Sequence, residues 1–258
     1  MEENNNENIR LGIDVGGSGI KGALVDISTG ELKSERVRYE TEMPATPEFV
    51  AGKIKLLVNN FEYSGPVGVA FPAAIKDGIV KTATNIDESW LERDAKKLLS
   101  SFIPNPICFI NDADAAGLAE MKFGHGKNQK GVVIMITVGT GLGTALFTNG
   151  QLLPNSELGH VHYKDKIAEK WASDATRKKK DLSWKKWAKR FDKYMRYLER
   201  LFYPEMIIIG GGASKKFENF EKHIKRVKTS VYPAKLFNHA GIIGAAVETE
   251  KMTEEKSV

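Results

Sequence analysis

The sequence predicts an α/β fold made of two related lobes. Short apolar runs rich in β-branched residues alternate with longer stretches of helical periodicity, an order typical of mainly parallel sheets covered by helices. Two of the runs lead through a glycine-rich turn into a second apolar run, one starting at Leu11 and the other at Val132. This repeat predicts an N-terminal lobe of residues 9–110, to which helix 242–250 returns, and a C-terminal lobe of residues 111–241.

The individual elements follow from apolar periodicity. The predicted strands are 9–15, 22–26, 67–71, 106–110, 132–138, 144–147 and 206–209. The predicted helices are 47–60, 91–102, 113–123, 183–203, 217–227 and 242–249. The helix 183–203 begins at a plausible N-cap, Ser183, and carries one apolar face opposite a face of lysines and arginines.

Composition restricts the compartment and the class of protein. The chain has 258 residues, a net charge of +5 and a single cysteine, Cys108, which excludes an intramolecular disulfide and a multi-cysteine zinc site. Residues 1–8 are acidic and asparagine-rich, without the apolar core of a signal peptide. No apolar run approaches the ~18 residues of a membrane span. We therefore expect a cytoplasmic protein with no membrane partner.

The first glycine turn follows an apolar strand that ends near Asp14. Gly16, Gly17, Ser18 and Gly19 make the turn, and Lys21 opens the next strand. Exposed amides in such a turn can form a nest for phosphate oxygens, and a carboxylate at the strand end can hold Mg²⁺ through water. The turn is not a Walker loop, because a strand follows it rather than a helix. A tight hairpin without a ligand is the alternative.

Two further glycine clusters lie in the second half of the chain. Thr140 and Gly141 belong to a second strand–turn–strand unit, which would give each lobe one phosphate-binding turn. Gly211 and Gly212 follow the buried strand 206–209, where a nucleotide base or a phosphate could lie against the backbone. An ordinary strand-to-helix loop is the alternative for this last cluster.

Polar residues emerge directly from strand 106–110 and precede an alanine-rich helix. Asn111 and Asp112 stand where ligands bind in α/β proteins, beyond the carboxyl end of a strand. A carboxylate there can accept the proton of an attacking hydroxyl group. We assign this catalytic role to Asp112 and the capping of the helix to Asp114.

Glu157 and His160 flank a short turn soon after the second glycine cluster. Sugar hydroxyl groups need hydrogen-bond donors and acceptors at fixed angles, and a carboxylate with an imidazole supplies both. A purely structural histidine is the alternative, but the neighbouring motifs favour a sugar-binding segment.

Taken together, these motifs resemble the ROK family of sugar kinases, from about residue 9 to residue 248. Within the family the chain is most similar to polyphosphate glucokinases, on residues 14–22, 68–72, 182–184 and 204–214. The resemblance implies an actin-like ATPase (ribonuclease H-like) two-lobed fold with mixed sheets, usually as a homodimer. It implies a glucokinase that transfers a phosphoryl group from polyphosphate and/or ATP to the 6-hydroxyl group of glucose, with Mg²⁺ as cofactor.

The resemblance also assigns site residues. Asp112 would be the catalytic base, and the sugar would contact Asn85, Asn111, Asp112, Glu157, His160 and Glu169. The donor would lie along Asp14, Gly16, Gly17, Ser18, Gly19, Lys21, Thr140 and Gly141, and a nucleotide near Gly211 and Gly212. Asp14 would hold Mg²⁺ through water.

One departure from the family concerns zinc. Most members carry a cysteine-rich zinc motif just after the segment that contains Glu157 and His160, and this chain has no cysteine there. We therefore expect no zinc site, and other contacts must hold the sugar-binding segment. Polyphosphate glucokinases are similar in lacking the motif.

The donor has a candidate surface of its own. Residues 177–180 and the basic face of helix 183–203 could bind polyphosphate as an extended track, or could be an ordinary solvated helix face. We expect no nucleic-acid partner, because Trp184 and Trp187 fit the apolar face of this helix rather than a base-stacking surface.

Two other functions stay open at this stage. The same chemistry could act on another hexose with ATP. A non-catalytic sugar-binding regulator is the other class, although the first strand begins too early for an N-terminal helix-turn-helix domain.

Overall fold

The protein is an α/β chain with two five-stranded mixed sheets. The computed structural model describes residues 7–84, 86–163 and 165–254. In chain order, its strands are β1 (Ile9–Gly16), β2 (Gly19–Asp26), β3 (Val37–Tyr39), β4 (Val67–Phe71), β5 (Ile75–Lys76), β6 (Ile79–Val80), β7 (Ile107–Asn111), β8 (Val132–Val138), β9 (Leu142–Thr148), β10 (Gln151–Leu153), β11 (His162–Tyr163), β12 (Lys166–Ile167), β13 (Met206–Gly210) and β14 (Ser230–Pro233). Its α-helices are α1 (Pro47–Asn60), α2 (Ala95–Ser100), α3 (Asp112–Phe123), α4 (Glu169–Ala172), α5 (Asp174–Lys179), α6 (Trp184–Phe202), α7 (Ala240–Glu248) and α8 (Lys251–Glu254).

The two sheets share one topology. The first has the order β3-β2-β1-β4-β7, and the second has the order β10-β9-β8-β13-β14. In each sheet three antiparallel strands are followed by two parallel strands. This repeat confirms the predicted mixed α/β architecture.

The chain divides into two compact units. The first contains residues 7–119 and 239–254, and the second contains Glu120–Asn238. The division falls within α3, so Asp112 belongs to the first unit, whereas the sequence-based division placed it at the start of the second lobe. The last helices of the chain belong to the first unit.

Glycines let α7 pack directly on the first sheet. A Cβ at Gly12 of β1 would lie 2.0 Å from the carbonyl oxygen of Ile242, and one at Gly68 of β4 would lie 1.8 Å from that of Ala245. Real Cβ atoms never approach so closely, so side chains at these positions would push the helix away from the sheet.

Helix α6 is the main cover of the second sheet. Its apolar face buries Trp187, Phe191 and Tyr194, and the Ser183 side chain accepts a hydrogen bond from the Lys186 amide at the predicted N-cap. The same face also buries two carboxylates, those of Asp192 and Glu199.

The predicted helix 217–227 is wrong, and these carboxylates bind the backbone at and just beyond its predicted end. The segment forms two 3₁₀ turns, Ser214–Asn219 and Glu221–His223. Asp192 accepts hydrogen bonds from the amides of residues 226 and 227, and Glu199 accepts them from the amides of residues 228 and 229. Amides held by side chains in this way cannot donate to helix carbonyl groups.

The ends of the second unit meet at one side chain. Glu120 is fully buried, and its two carboxylate oxygens accept hydrogen bonds from the amides of His125, at 3.3 Å, and Leu236, at 2.8 Å. Leu236 lies only a short distance before Asn238, where the chain leaves the unit.

Short elements account for most of the other differences from prediction. The edge strands β3, β10 and β14 and the hairpins β5–β6 and β11–β12 contain two to four residues each, too few for an alternating pattern to be visible. Among the helices that the structure describes, none is both long and apolar enough to cross a bilayer.

Candidate functional site

The first glycine turn joins β1 to β2. Gly16 pairs with Gly19 in the register, so Gly17 and Ser18 form the exposed tip. A Cβ at Gly17 would meet no atom within 4 Å, which means that packing does not require glycine here. Open space above a turn is what a ligand needs to approach the backbone.

Two side chains from the neighbouring segment orient this turn. Thr41 donates a hydrogen bond to the carbonyl oxygen of Gly16 at 2.7 Å, and Arg38 donates to that of Ser18. Within the part of the chain that the structure describes, the amides of Gly17 and Ser18 donate no hydrogen bond. The carbonyl oxygens of Gly16 and Ser18 are therefore occupied while these two amides are available, which suits an anion.

Asp14 and Lys21 face each other across β1 and β2. The Lys21 Nζ atom lies 3.5 Å from Asp14 Oδ2, and both side chains are largely buried. Burial raises the pKa of Asp14, and the charge of Lys21 opposes that rise without cancelling it. Gly241 of α7 packs close to the Asp14 carboxylate, so this acid also lies at a helix N-terminus.

Asp14 fits a water-mediated Mg²⁺ ion better than a closed metal site. Among the described residues, no group of three or more His, Cys, Asp or Glu side chains is placed to hold a metal. Mg²⁺ commonly uses one or two carboxylates and completes its shell with water and substrate phosphates. A single carboxylate close to an open glycine turn meets that requirement.

The junction of β7 and α3 places Asp112 at the start of a helix. Asp112 is partly buried, and its Oδ1 atom accepts a hydrogen bond from the Ala113 amide at 2.8 Å. Strands β1, β4 and β7 run parallel, so Asp14 and Asp112 follow the same edge of the sheet. With β4 between their strands, the two backbones are ~10 Å apart.

The helix cap is Asn111 rather than Asp114. Asn111 is buried, and its Oδ1 atom accepts hydrogen bonds from the amides of Ala113, at 2.9 Å, and Asp114, at 3.2 Å. Its Nδ2 atom donates to the carbonyl oxygen of Ala73 at 3.2 Å. The capping prediction for Asp114 was wrong because the side chain before the helix already satisfies these amides. Asn85, the other predicted amide at the sugar, lies outside the described residues.

The second glycine turn joins β8 to β9 and carries the exposed Thr140. As at Gly17, a Cβ at Gly139 would meet nothing within 4 Å. The Ala175 amide of α5 donates to the carbonyl oxygen of Gly139 at 3.1 Å, and Glu169 Oε2 accepts from the Leu142 amide at 3.1 Å. Glu169, predicted to contact the sugar, thus holds the second glycine turn with one of its oxygens.

The loop after β13 lies beside this turn. Gly211 has a φ of +70°, and a Cβ there would lie 2.6 Å from the carbonyl oxygen of Val138, the last residue of β8. Only glycine fits both the backbone angle and the space. Gly212 has open space above it, as Gly17 and Gly139 do.

The segment that contains Glu157 and His160 forms a short 3₁₀ turn, Leu158–His160. Glu157 Oε2 lies 3.3 Å from His160 Nδ1, and each side chain is 33% exposed, so both can reach a ligand. Burial raises the pKa of Glu157; the His160 charge opposes the rise and the Glu169 charge adds to it.

Hydrogen bonds from β9 and α6 hold this segment. Thr144 is buried, accepts from the Leu158 amide at 3.0 Å and donates to the carbonyl oxygen of Ser156. The buried hydroxyl group of Tyr194 donates to the carbonyl oxygen of Leu158 at 3.1 Å. A Cβ at Gly159 would lie 1.9 Å from the carbonyl oxygen of Leu142, so the segment rests directly on β9.

Aromatic packing supports the hairpin that follows. The ring of Tyr163, at the end of β11, lies 4.8 Å from that of Trp171 and 5.5 Å from that of Tyr197, measured between centroids. These ring contacts lie just after the segment with Glu157 and His160, where most members of the resembled family carry a zinc motif.

Each unit therefore gathers part of the predicted site. The first brings together Asp14, Lys21, the first glycine turn, Asn111 and Asp112. The second brings together the second glycine turn, Gly211, Gly212, Glu157, His160 and Glu169. Arg38, Thr41, Thr144 and Tyr194 were not predicted, since nothing in their local sequence distinguishes them from ordinary surface or core residues.

Comparison with known proteins agrees with these motifs. The ROK family model matches residues 10–170. A polyphosphate glucokinase of Mycobacterium tuberculosis is 43% identical over 238 residues, which cover 92% of this chain and 89% of that protein. The sequence relationship thus extends over nearly all of both proteins.

Solved structures agree with the sequence relationship. The inorganic polyphosphate/ATP-glucomannokinase of Arthrobacter sp. strain KM superposes with a TM-score of 0.91 at 43% identity, covering 95% of this chain and 99% of that one. A ROK family glucokinase of Streptomyces griseus, solved with glucose and AMPPNP, has a TM-score of 0.79 at 23% identity, covering 94% and 99%. The fold is therefore the actin-like ATPase fold, and the chain belongs to the ROK family.

Proposed function

We propose that this protein is a glucokinase that transfers a phosphoryl group from polyphosphate and/or ATP to the 6-hydroxyl group of glucose. The observation that carries the proposal is the position of Asp112, a partly buried carboxylate on the same sheet edge as an open glycine turn. The 43% identity to a polyphosphate glucokinase supports the choice of acceptor and donor.

In this proposal Asp112 accepts the proton of the sugar 6-hydroxyl group. The hydroxyl oxygen attacks the terminal phosphorus of the donor, a new O–P bond forms, and the bond from that phosphorus to the rest of the donor breaks. The leaving group is ADP or a polyphosphate shorter by one unit. Such a transfer asks the protein mainly for positioning and for neutralisation of charge.

The remaining residues position the two substrates. Glu157 and His160 bind sugar hydroxyl groups as acceptor and donor, with Asn85, Asn111 and the second oxygen of Glu169 as further sugar contacts. The donor lies along the first glycine turn, residues 16–19, and along Thr140 and Gly141, with Lys21 neutralising phosphate charge. When bound, Mg²⁺ would neutralise donor charge and would be held through water by Asp14.

The donor is the least constrained part of the proposal. Gly211 and Gly212 provide a backbone surface for a nucleotide beside the second glycine turn, which supports ATP as one donor. The names of the Mycobacterium tuberculosis and Arthrobacter relatives both include polyphosphate, which supports polyphosphate as the other donor.

A second acceptor deserves a test. The Arthrobacter relative is named a glucomannokinase, so mannose is the first alternative hexose to try. A non-catalytic sugar-binding regulator is less well supported, because such a protein needs no carboxylate in the position of Asp112.

Further parts of the proposal concern partners and location. We expect a homodimer in the cytoplasm, where glucose, ATP and polyphosphate are available together, and no membrane or nucleic-acid partner. Size-exclusion chromatography with light scattering tests the oligomeric state directly.

A coupled assay for glucose 6-phosphate tests the central proposal. Glucose is supplied with ATP or with polyphosphate, each with and without Mg²⁺, and mannose replaces glucose in a parallel series. We expect turnover with at least one donor and its loss when Mg²⁺ is chelated. Absence of product with both donors and both hexoses would contradict the proposal.

A further inference from the structure

Four lysines of the second unit form one exposed cluster. Lys185 and Lys189 lie one turn apart on α6, and Lys222 and Lys225 come from the adjacent 3₁₀ turn and the residues after it. The pKa of His223 is lowered first by desolvation and then by the charges of these four lysines. All four lysines therefore surround the same imidazole. We call Lys185, Lys189, Lys222 and Lys225 the lysine cluster.

The segment that contributes half of the cluster is fixed to α6. Before the two lysines, the buried ring of Phe220 packs against those of Trp184 and Trp187, with centroids 5.7 Å and 5.0 Å away. After them, Asp192 accepts the amide of Arg226 at 2.9 Å. Because both ends are anchored, the backbone that carries Lys222 and Lys225 is held beside α6 without any ligand.

No ion pair of the described residues neutralises the lysine cluster. Among the described residues, none of its four side chains forms an ion pair, whereas Arg177 and Lys178 in the neighbouring basic run both pair with Asp174. Four like charges around one imidazole repel one another, and binding of a polyanion would relieve that repulsion. The structure therefore distinguishes these lysines from the basic run 177–180, part of which is already neutralised.

The chemistry of the surface favours condensed phosphate over nucleic acid. A single-stranded nucleic acid would use exposed aromatic rings on which its bases stack. Here the ring of Trp184 is covered by Phe220 and by the guanidinium of Arg177, 4.1 Å from its centroid. What remains beside these covered rings is the charge of the four lysines around the His223 imidazole, which suits a ligand made of phosphate groups.

We propose that the lysine cluster is a docking site for long-chain inorganic polyphosphate, binding parts of the chain other than the phosphate that is transferred. The proposal rests on the proposed function for the identity of the donor, but binding itself can be measured without turnover. Only a long chain could occupy the glycine turns and the lysine cluster at the same time, so we expect ATP and tripolyphosphate not to depend on the cluster.

The test replaces all four lysines of the cluster with glutamine. The matched control carries Lys55→Gln, Lys97→Gln, Lys127→Gln and Lys130→Gln, which remove the same charge from exposed positions elsewhere. Binding of long-chain polyphosphate is measured directly for both variants over a series of salt concentrations. Donor kinetics are then measured with long-chain polyphosphate, tripolyphosphate and ATP.

We expect the cluster variant to bind long-chain polyphosphate at least ~10-fold more weakly. The slope of log Kd against log salt concentration should decrease by about three, because four phosphate contacts are lost. Kinetics with ATP should stay within about twofold of the unaltered protein, and the control variant should keep both properties.

Three results would overturn the proposal: equal weakening in the control variant, unchanged binding in the cluster variant, or tighter binding of a single-stranded oligonucleotide than of polyphosphate. If the unaltered protein binds polyphosphate through the cluster but phosphorylates no sugar, the docking site stands and the proposed function fails. If it phosphorylates glucose with ATP and does not bind polyphosphate, the reverse holds.

Discussion

The Asp112 junction and the segment with Glu157 and His160 are held in place in different ways. At the junction, a strand ends and a helix begins within two residues, and one capping side chain, Asn111, completes the geometry. The Glu157 segment has little regular structure and depends on side chains of β9 and α6, distant in the sequence. We infer that changes near Asp112 will affect chemistry, whereas changes around Glu157 will affect the shape of the sugar site.

The largest effect is expected at the junction. Asp112→Asn keeps the shape of the side chain and removes the base, so turnover should fall by roughly 10²–10⁴ while glucose binding is retained. Initial rates and calorimetric titration of glucose measure the two quantities. Asp181→Asn is the control, since it makes the same change at an exposed site whose φ of +45° suits asparagine. Near-normal turnover of Asp112→Asn would remove this residue from the role of base.

Two glycine substitutions distinguish a glycine that close packing requires from one that leaves room for a ligand. Gly159→Ala places a methyl group 1.9 Å from the Leu142 carbonyl oxygen, which should destabilise the protein by about 1–3 kcal/mol and raise the KM for glucose at least ~10-fold. Gly17→Ala meets no protein atom, so the melting temperature should hold while the KM for the donor rises. Thermal unfolding and two-substrate kinetics test both. A loss of stability in Gly17→Ala, with none in Gly159→Ala, would contradict the comparison.

The pH dependence of glucose binding should report on Glu157. Burial raises the pKa of this carboxyl group above its ordinary value of 4.5, so the ionised acceptor should be lost, and the KM for glucose should rise, at a higher pH than for an exposed glutamate. Glu169→Gln removes a charge that adds to the rise, and it should move this transition to lower pH.

The pH dependence of protein stability should have the opposite sign to that of glucose binding. With a raised pKa in the folded state, the contribution of Glu157 to stability is fully present below pH 4.5 and is lost as the pH rises through the folded-state value. Glu157→Gln should therefore be at least as stable as the unaltered protein at neutral pH, although it binds glucose more weakly. A clear loss of stability at neutral pH would show that the ionised carboxylate is a structural contact.

The smallest effect is expected at Tyr194. Tyr194→Phe removes one buried hydrogen bond to Leu158, which should cost about 1 kcal/mol of unfolding free energy and raise the KM for glucose a few-fold, with kcat nearly unchanged. Tyr197→Phe is the control, because its ring contacts Tyr163 and the change leaves that contact in place. An equal response of the two variants in KM would argue against a positioning role for the Tyr194 hydroxyl group.

The difference between the Asp112 junction and the Glu157 segment also explains what the sequence could predict. The glycine turns and the Asn111–Asp112 junction were located correctly, because a strand, a turn and the next element are adjacent in the chain and leave a local pattern. The supports of the Glu157 segment were not found, since Thr144 and Tyr194 look like ordinary residues of a strand and an amphipathic helix. Their partners become visible only when distant parts of the chain are brought together.

The two structural errors have the same origin. The predicted helix 217–227 has suitable periodicity, but Asp192 takes the amides of residues 226 and 227 at its predicted end. Asp114 is a good capping residue by type, yet Asn111 precedes it and already occupies that role. In both cases another side chain holds the backbone amides, one distant in the sequence, Asp192, and one only three residues away, Asn111.

The contacts of Glu120 suggest where a fragment of the chain could be cut out. Because this carboxylate is bound to the amides of residues 125 and 236, the chain enters and leaves the second unit at almost the same point. A segment with adjacent ends can be removed from its host and closed by a short linker without stretching either part. Residues 120–238 therefore have the ends of an inserted module, and they offer a natural fragment for separate expression or for exchange between relatives.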